Sequence, residues 1–392
     1  MTLNEHRIQS IVPHRYHVVA SDDVENIGSP IEILHSEILL QIFRHLVPYI
    51  QINEMMGPLI ITQICRYWRD LILELPSFWS YIEICIQGTN ATKYQHALQE
   101  CLSRSNNHPL TFIIIARPLH VYDCTDHEPI LILTMESLLA HSDRWLDVTF
   151  YFQDMRKFRF LERGSTQFPI LQSASISCSS MGLNPSTSEV KGLKRAPRLR
   201  SLSLCSKSFG SVIVNWDNIT MLKLTDTDVP LRSLHALLRN VKNLWYLKMI
   251  AYKREYCALD TAAISELQVL PLKCLKSISI SGILSEHNMA YIIPLISAPS
   301  LENLSLFFRS CAERNLLIDR LPEFYENCAS ENIQTLMIGE GFDTLSLLSR
   351  LLEQISVSRL VFNLQASALP SDSFINTLIT EIPLLTGSIR FM

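Results

Sequence analysis

The sequence predicts an α/β protein, with two short amphipathic helices near the N-terminus followed by a solenoid of strand-plus-helix repeats. Three observations carry that prediction. Two apolar stripes at helical spacing lie between residues 30 and 80. An apolar triplet of the form Φ-x-x-Φ-x-Φ then recurs eleven times between Trp79 and Phe362. Helical patterns such as ATKYQHALQECLSRS, PLRSLHALLRN and LSLLSRLLEQI fall between triplets, so the apolar period alternates between strand and helix.

Residues 1–29 show no sustained periodicity and end in the turn-rich SDDVENIGSP, which reads as a flexible leader. From Glu37 to Leu46 the apolar residues Ile38, Leu39, Ile42, Phe43 and Leu46 make one face of a helix, with Ser36 as its expected N-cap. Pro48 should end that helix, and PYIQINEMMGP reads as a loop until Pro58 opens a second helix in its first turn. Ile61, Ile64, Cys65, Trp68 and Ile72 then form a single apolar stripe, with Arg66, Arg69 and Asp70 on the other side.

The triplets begin at Trp79, Leu110, Trp145, Leu171, Leu199, Ile219, Leu244, Leu275, Leu301, Ile333 and Val357; in the second of them the phase is read as Leu110/Ile113/Ile115. Successive starts lie 20 to 35 residues apart with a mean close to 28. This spacing points to a leucine-rich-repeat-like solenoid, in which each unit buries its one apolar face on its neighbours. The usual Asn or Cys beyond the last strand leucine is replaced by Lys207, Thr227, Tyr252, Ile283, Arg309 and Gly341, so the repeats are degenerate and no regular asparagine ladder is expected. A generic α/β domain is the alternative.

PIEILHSEILLQIFRHLVP, followed by PLIITQICRYWRDLILELPSFWSYIEI, resembles an F-box of the F-box-like type common in long fungal proteins. The second segment is the more specific, in its order of apolar run, Gln, Ile, Cys, Arg, aromatic, Trp, Arg, then Leu-Pro, Ser, Phe, Trp, Ser. The resemblance covers about 55 residues. One departure is that Leu34-His35 stands where the family usually has Leu-Pro. Such proteins commonly carry a repeat tail with phrases like RSNNHPL and HSDRW, here Arg104 to Leu110 and His141 to Trp145. The domains expected are a leader over 1–29, an F-box over 30–80 and degenerate repeats over 81–392.

Composition narrows the function classes. Hydrophobic residues make up 47% and charged residues 18%, too apolar for a disordered chain. A formal charge of -4 gives no global basic field for nucleic acid or an anionic membrane. Glycine is scarce, 11 in 392, and neither a P-loop nor a dinucleotide fingerprint occurs. The N-terminal residues carry no signal-peptide core, no apolar stretch reaches the ~18 residues of a membrane span, and the ten cysteines show no C-x-x-C pair. The expectation is a soluble intracellular protein, cytoplasmic or nuclear, with reduced cysteines.

Candidate chemistry is sparse. His14 and His17 lack a third metal ligand nearby, and Asp226-Thr227-Asp228 begins like a calcium loop but has Leu231 where that loop needs glycine. Cys65 falls on the apolar stripe and reads as a structural, buried thiol rather than a nucleophile. No G-x-S-x-G or H-E-x-x-H occurs. No catalytic residue, metal or cofactor is expected.

The resemblance implies the substrate-recognition subunit of a cullin-RING ubiquitin ligase. Leu34, Ile38, Leu39, Ile42, Phe43, Trp68 and Leu71 would dock the S-phase-kinase-associated adaptor subunit, and through it a cullin. Strand alternation places Met221, Lys223, Tyr246, Lys248, Asn303, Ser305, Phe307 and Met337 on one outward surface as a candidate site for an unknown protein target. The rival reading is a structural or sensory repeat scaffold whose F-box serves assembly only. A hydrolase hidden in the α/β region is the remaining alternative.

Overall fold

The computed structural model describes residues 34–46, 50–52, 58–86, 91–116, 128–162, 166–178, 189–205, 208–225, 231–251, 266–282, 288–308, 311–328, 333–338, 357–362 and 388–391. The chain divides into two compact units, 1–46 and 47–392. The leader, the 226–228 turn, the positions that replace the asparagine ladder and LSLLSRLLEQI lie outside the described residues.

In the first unit the described element is helix α1, Ser36–Leu46. It starts one residue earlier than a Ser36 cap would have it, because the His35 carbonyl accepts the first bonds, from Ile38 N at 2.9 Å and Leu39 N at 3.2 Å. Glu37 in the first turn and Arg44 and His45 in the last suit the helix dipole.

The second unit is built on one parallel sheet whose strands follow one another in chain order. They are β1 Ile50–Gln51, β2 Tyr81–Cys85, β3 Leu110–Ala116, β4 Trp145–Phe152, β5 Ser173–Cys178, β6 Ser201–Cys205, β7 Met221–Thr225 and β8 Tyr246–Ala251. There follow β9 Leu270–Pro271, β10 Ser277–Gly282, β11 Ile296–Ser297, β12 Asn303–Phe308, β13 Ile333–Ile338, β14 Val357–Phe362 and β15 Ser388–Phe391. Thirteen of these described strands pair in sequence order, while β9 and β11 step aside to form a small parallel pair. Each strand of the large sheet hydrogen-bonds the next along the chain, the arrangement that a recurring one-faced unit produces when copies stack.

The triplet phase explains the core. Ile82, Phe112, Val148, Ala174, Leu202, Leu222, Leu247, Ile278, Leu304, Leu336 and Leu360 lie in a line of register partners, all buried. Full burial of each Leu or Ile stabilises by roughly 1.5–3 kcal/mol relative to exposure. The second triplet is out of phase with its prediction. In β3 the buried residues are Leu110, Phe112, Ile114 and Ala116, and Ile113 and Ile115 turn to the other face. LTFIIIA is apolar at every position but one, so alternation cannot choose its face; a register step between Leu110 and Thr111 against β4 does.

Two strands escape the sequence reading. Residues read as a loop contain β1, where Ile50 opposes Ile82. Val47/Ile50/Ile52 is a further Φ-x-x-Φ-x-Φ, masked by Pro48. At the other end β15 pairs Ile389 with Leu360 and Phe391 with Phe362. The residue three before Ile389 is Thr386, so its triplet has no first apolar member.

The returns between strands are also less uniform than strand plus helix. The α-helices are α2 Pro58–Ile61, α3 Arg66–Leu73, α4 Ala91–Arg104, α5 Glu128–Leu139, α6 Leu231–Asn240, α7 Asn288–Ile292 and α8 Cys311–Cys328. After β4, β5 and β6, however, the described returns are 3-10 turns at Met155–Glu162, Gly192–Arg195 and Trp216–Asn218. Aromatic rings fill part of the space there: Phe158 lies 4.7 Å from Phe152 and 5.9 Å from Phe150, and Phe168 lies 5.0 Å from Trp145. Gly192 lets two of these turns approach, since a Cβ on it would stand 2.2 Å from the Leu161 carbonyl oxygen.

Two tryptophans anchor strand starts by the same device. Trp79 Nε1 donates to the Ile72 carbonyl and Trp145 Nε1 to the Leu138 carbonyl, each at 3.0 Å and each seven residues back in the helix just ended. The phrases RSNNHPL and HSDRW meet in space. Buried Arg144 donates to Ser105 Oγ at 2.7 Å and through two nitrogens to the His108 carbonyl at 2.9 and 3.1 Å. Asn106, at φ 45°, makes the left-handed bend that presents these acceptors, a conformation Asn tolerates better than most residues.

Candidate functional site

Three surfaces stand out, each built on its own element. On α1, Ile38, Ile42 and Leu46 recur every fourth residue and are exposed, Ile38 by 48% and Leu46 by 67%. Leu39 and Phe43, on the same predicted docking list, are fully buried, and Leu34 is half-buried. The stripe is wide enough to hold both an inward row, Leu39 and Phe43, and an outward row.

In the second unit, the single helix expected after Pro58 is two helices. The chain turns at 62–64: Thr62 Oγ1 donates to the Leu59 carbonyl at 2.7 Å, and Arg69 Nε donates to the Thr62 carbonyl at 2.9 Å, covering the end of α2. The β-branched cluster Ile60, Ile61, Thr62 and Ile64 weakens helix continuation at that point. Cys65 is exposed, not buried, and acts as the N-cap of α3, its Sγ accepting from Trp68 N at 3.5 Å. Breaking the helix changes its phase. Ile61, Trp68 and Ile72 are buried, Leu71 is half-buried, and Ile60, Ile64 and Tyr67 are exposed.

Leu46 and Ile64 belong to the apolar stripes read from the sequence but not to the predicted docking list, and Ile60 and Tyr67 belong to neither. Six of the ten large apolar side chains exposed among the described residues fall between Ile38 and Tyr67. Exposed apolar residues scattered singly are ordinary, whereas these six are concentrated in short helical segments.

The third surface is the open face of the large sheet. Register sets its rows. Ser173, Ser201, Met221, Tyr246, Ser277, Asn303 and Thr335 oppose one another in order, and two residues further along the strands so do Ser175, Ser203, Lys223, Lys248, Ser279, Ser305 and Met337. A third row carries Thr225, Ile250, Ser281 and Phe307. All eight residues predicted as outward-facing lie in these rows, and each is half-buried or exposed. Lys223 stands directly opposite Lys248, and both its partial burial and that neighbouring charge pull its ammonium pKa below the usual lysine value.

No group of three or more His, Cys, Asp or Glu placed to hold a metal occurs among the described residues. A cavity of ≈ 270 Å³ is lined by apolar Ile50, Ile52, Leu59 and Trp79 together with His96, Glu100, Cys101 and Arg104. Burial, reinforced by Glu100, pushes the Cys101 thiol up to about 12, the reverse of nucleophile activation. Arg104 is already engaged, donating to Glu100 at 2.6 Å and lying 4.8 Å over the Trp79 ring. Among the described residues, no helix is long and apolar enough to cross a membrane.

The chain is an α/β protein with a large parallel sheet in chain order. No protein-family model matches it, and no curated protein does so.

Proposed function

We propose that the chain is the substrate-recognition subunit of an SCF-type cullin-RING ubiquitin ligase, with an F-box followed by a leucine-rich-repeat-like solenoid. The observation that carries this reading is the concentration of exposed apolar side chains on the segments whose sequence resembles an F-box: Ile38, Ile42 and Leu46 on α1, and Ile60, Ile64 and Tyr67 on α2 and α3. Large apolar side chains left in water here are suited to a partner that desolvates them. Leu39, Phe43 and Trp68 support those helices from the inside, and Leu34 and Leu71 lie at their margins. The sheet-bearing unit, with strands in chain order and an open face, suits the capture of a protein target.

In this reading the chain forms no covalent bond itself. It works by tethering: holding the target near a charged conjugating enzyme turns a bimolecular encounter into an intramolecular one, at effective concentrations of order mM for short flexible links. The partners are the S-phase-kinase-associated adaptor, a cullin reached through it, and a protein target, in the cytoplasm or nucleus.

The test is affinity purification of the full chain with adaptor and cullin quantified together. Recovery of both supports the ligase reading. Adaptor without cullin supports an assembly-only scaffold, and the loss of rigid Pro at His35 makes that comparison informative. Ile38→Asp with Ile42→Asp places charge on exposed positions only, so the variant should keep its melting temperature and lose adaptor at least tenfold. A folded double variant that still captures adaptor overturns the docking assignment.

A further inference from the structure

Close-packed interiors hold few voids larger than a water molecule, yet a cavity of ≈ 270 Å³ is left where β1, α2 and α4 meet Trp79. The sequence of α4 accounts for the space. Leu98 and Leu102 are large and buried, but the helix wall of the cavity includes Ala97 and Cys101, one turn apart, whose short side chains leave room. Ile50, Ile52, Trp79 and Cys101 are buried and form an apolar floor, whereas His96 and Glu100 are exposed and mark the mouth. Ile50 opposes Ile82 of the buried row, so the cavity lies on the core side of the sheet and not on its open face. The charged and imidazole groups sit on one wall, His96, Glu100 and Arg104 following one another at every fourth residue of α4. Water held against the floor would lack the roughly two to four polar partners it needs.

We propose that this cavity binds an uncharged aromatic small molecule of about two fused rings that carries a single hydrogen-bonding group. Size, charge and shape each narrow the class. An apolar protein cavity of ~150 Å³ takes up benzene, so a space roughly twice as large suits two fused rings. Glu100 and Arg104 neutralise each other, Arg104 Nε donating to Glu100 at 2.6 Å. Among the described lining residues an ionised ligand would therefore find no free carboxylate or guanidinium, and it would be desolvated against the floor without a partner. Trp79 favours an aromatic ring, which can stack on the indole or meet its edge. His96 stands at the mouth, where a ring nitrogen can donate to or accept from one polar group of the ligand. Binding is non-covalent, because burial pushes the Cys101 thiol up to about 12 and keeps it protonated at neutral pH.

The site stands independently of adaptor and target, so the experiment uses the purified full chain alone. The probes are naphthol, uncharged at neutral pH, and its charged analogues naphthoate and naphthylmethylammonium, each titrated by isothermal calorimetry. One saturable site for naphthol is expected, with affinity at least tenfold above that for either ion. Ala97→Phe fills the space with a ring of the protein's own; the folded variant should keep its melting temperature and lose naphthol at least tenfold. A second measurement needs no variant: naphthol should slow hydrogen exchange in residues 50–52 and 96–104 of the unaltered chain and leave β10 and β12 unchanged. Ile60→Asp with Ile64→Asp changes exposed apolar side chains outside the cavity lining and should leave naphthol binding as it is. The proposal is overturned by the lack of a saturable site up to the solubility limit of naphthol, by equal affinity for the three probes, by undiminished binding in the folded Ala97→Phe variant, by protection confined to other segments, or by loss of binding in the Ile60 and Ile64 double variant.

Discussion

Arg144 shows how a single buried side chain can hold two distant phrases of sequence together. Its guanidinium is 8% exposed and has neutral acceptors, Ser105 Oγ and the His108 carbonyl. Replacement by Ala should cost roughly 2–4 kcal/mol, since it removes charge-assisted bonds and strands buried acceptors; urea unfolding measures it, and a loss under about 1 kcal/mol would show the clasp to be dispensable. Asp147 offers a pH test with a defined sign. Burial raises its carboxyl pKa above the ordinary value, partly offset by the Ser173 bond. The protonated form is thus favoured on folding, and its contribution is present at low pH and lost as pH rises through the raised value. Asp147→Asn should flatten the dependence of melting temperature on pH just above the ordinary carboxylate range. An unchanged profile would mean that the burial is relieved in solution.

At the scale of elements, the turns that replace helices after β4 and β5 depend on one close approach. Gly192→Ala puts a methyl group into the Leu161 backbone, which cannot swing away as a flexible side chain could. The expected loss is about 1–3 kcal/mol, read from thermal or urea unfolding, and a neutral result would mean that the two turns separate freely. The α3 start makes a sharper distinction among thiols. Cys65 and Cys274 are exposed, whereas burial pushes Cys101 up to about 12 and Cys328 up to about 11. Iodoacetamide at pH 8 should label Cys65 and Cys274 at least tenfold faster than the other two, with mass spectrometry locating each adduct. Rapid labelling of Cys101 in the folded chain would contradict its burial.

For the sheet-bearing unit as a whole, pairing in chain order implies that damage stays local. Leu304 is buried in β12 and pairs with Ile278 and Leu336. Leu304→Ala should cost about 2–5 kcal/mol, while its neighbour Ser305→Ala, on the open face, should stay within about 0.5 kcal/mol. Hydrogen exchange should accelerate in β10, β12 and β13 well before β4 and β5, because each strand of such a stack rests on its neighbours. Uniform acceleration throughout would indicate a single cooperative core instead.

Much of this was legible in one dimension. Alternation alone distinguishes Leu222 and Leu224 from Met221 and Lys223, because a strand turns successive side chains to opposite faces and only one face is apolar. Recurrence of that pattern at 20 to 35 residues already requires units that bury themselves on one another. Where the local pattern is degenerate, tertiary contacts decide. LTFIIIA takes its phase from a register step against β4, and Ile64 and Cys65 reach the surface because the chain turns at Thr62. The local mark on Ile50 is hidden by Pro48, and the triplet ending in Ile389 and Phe391 lacks its first apolar member, so pairing with a neighbouring strand reveals both. Lys223 and Lys248 are 25 residues apart, and only the pairing of β7 with β8 makes them opposite. Spacing along the chain sets which face a side chain takes, but cross-strand neighbours depend on how return segments of unequal length close, and that is settled by packing.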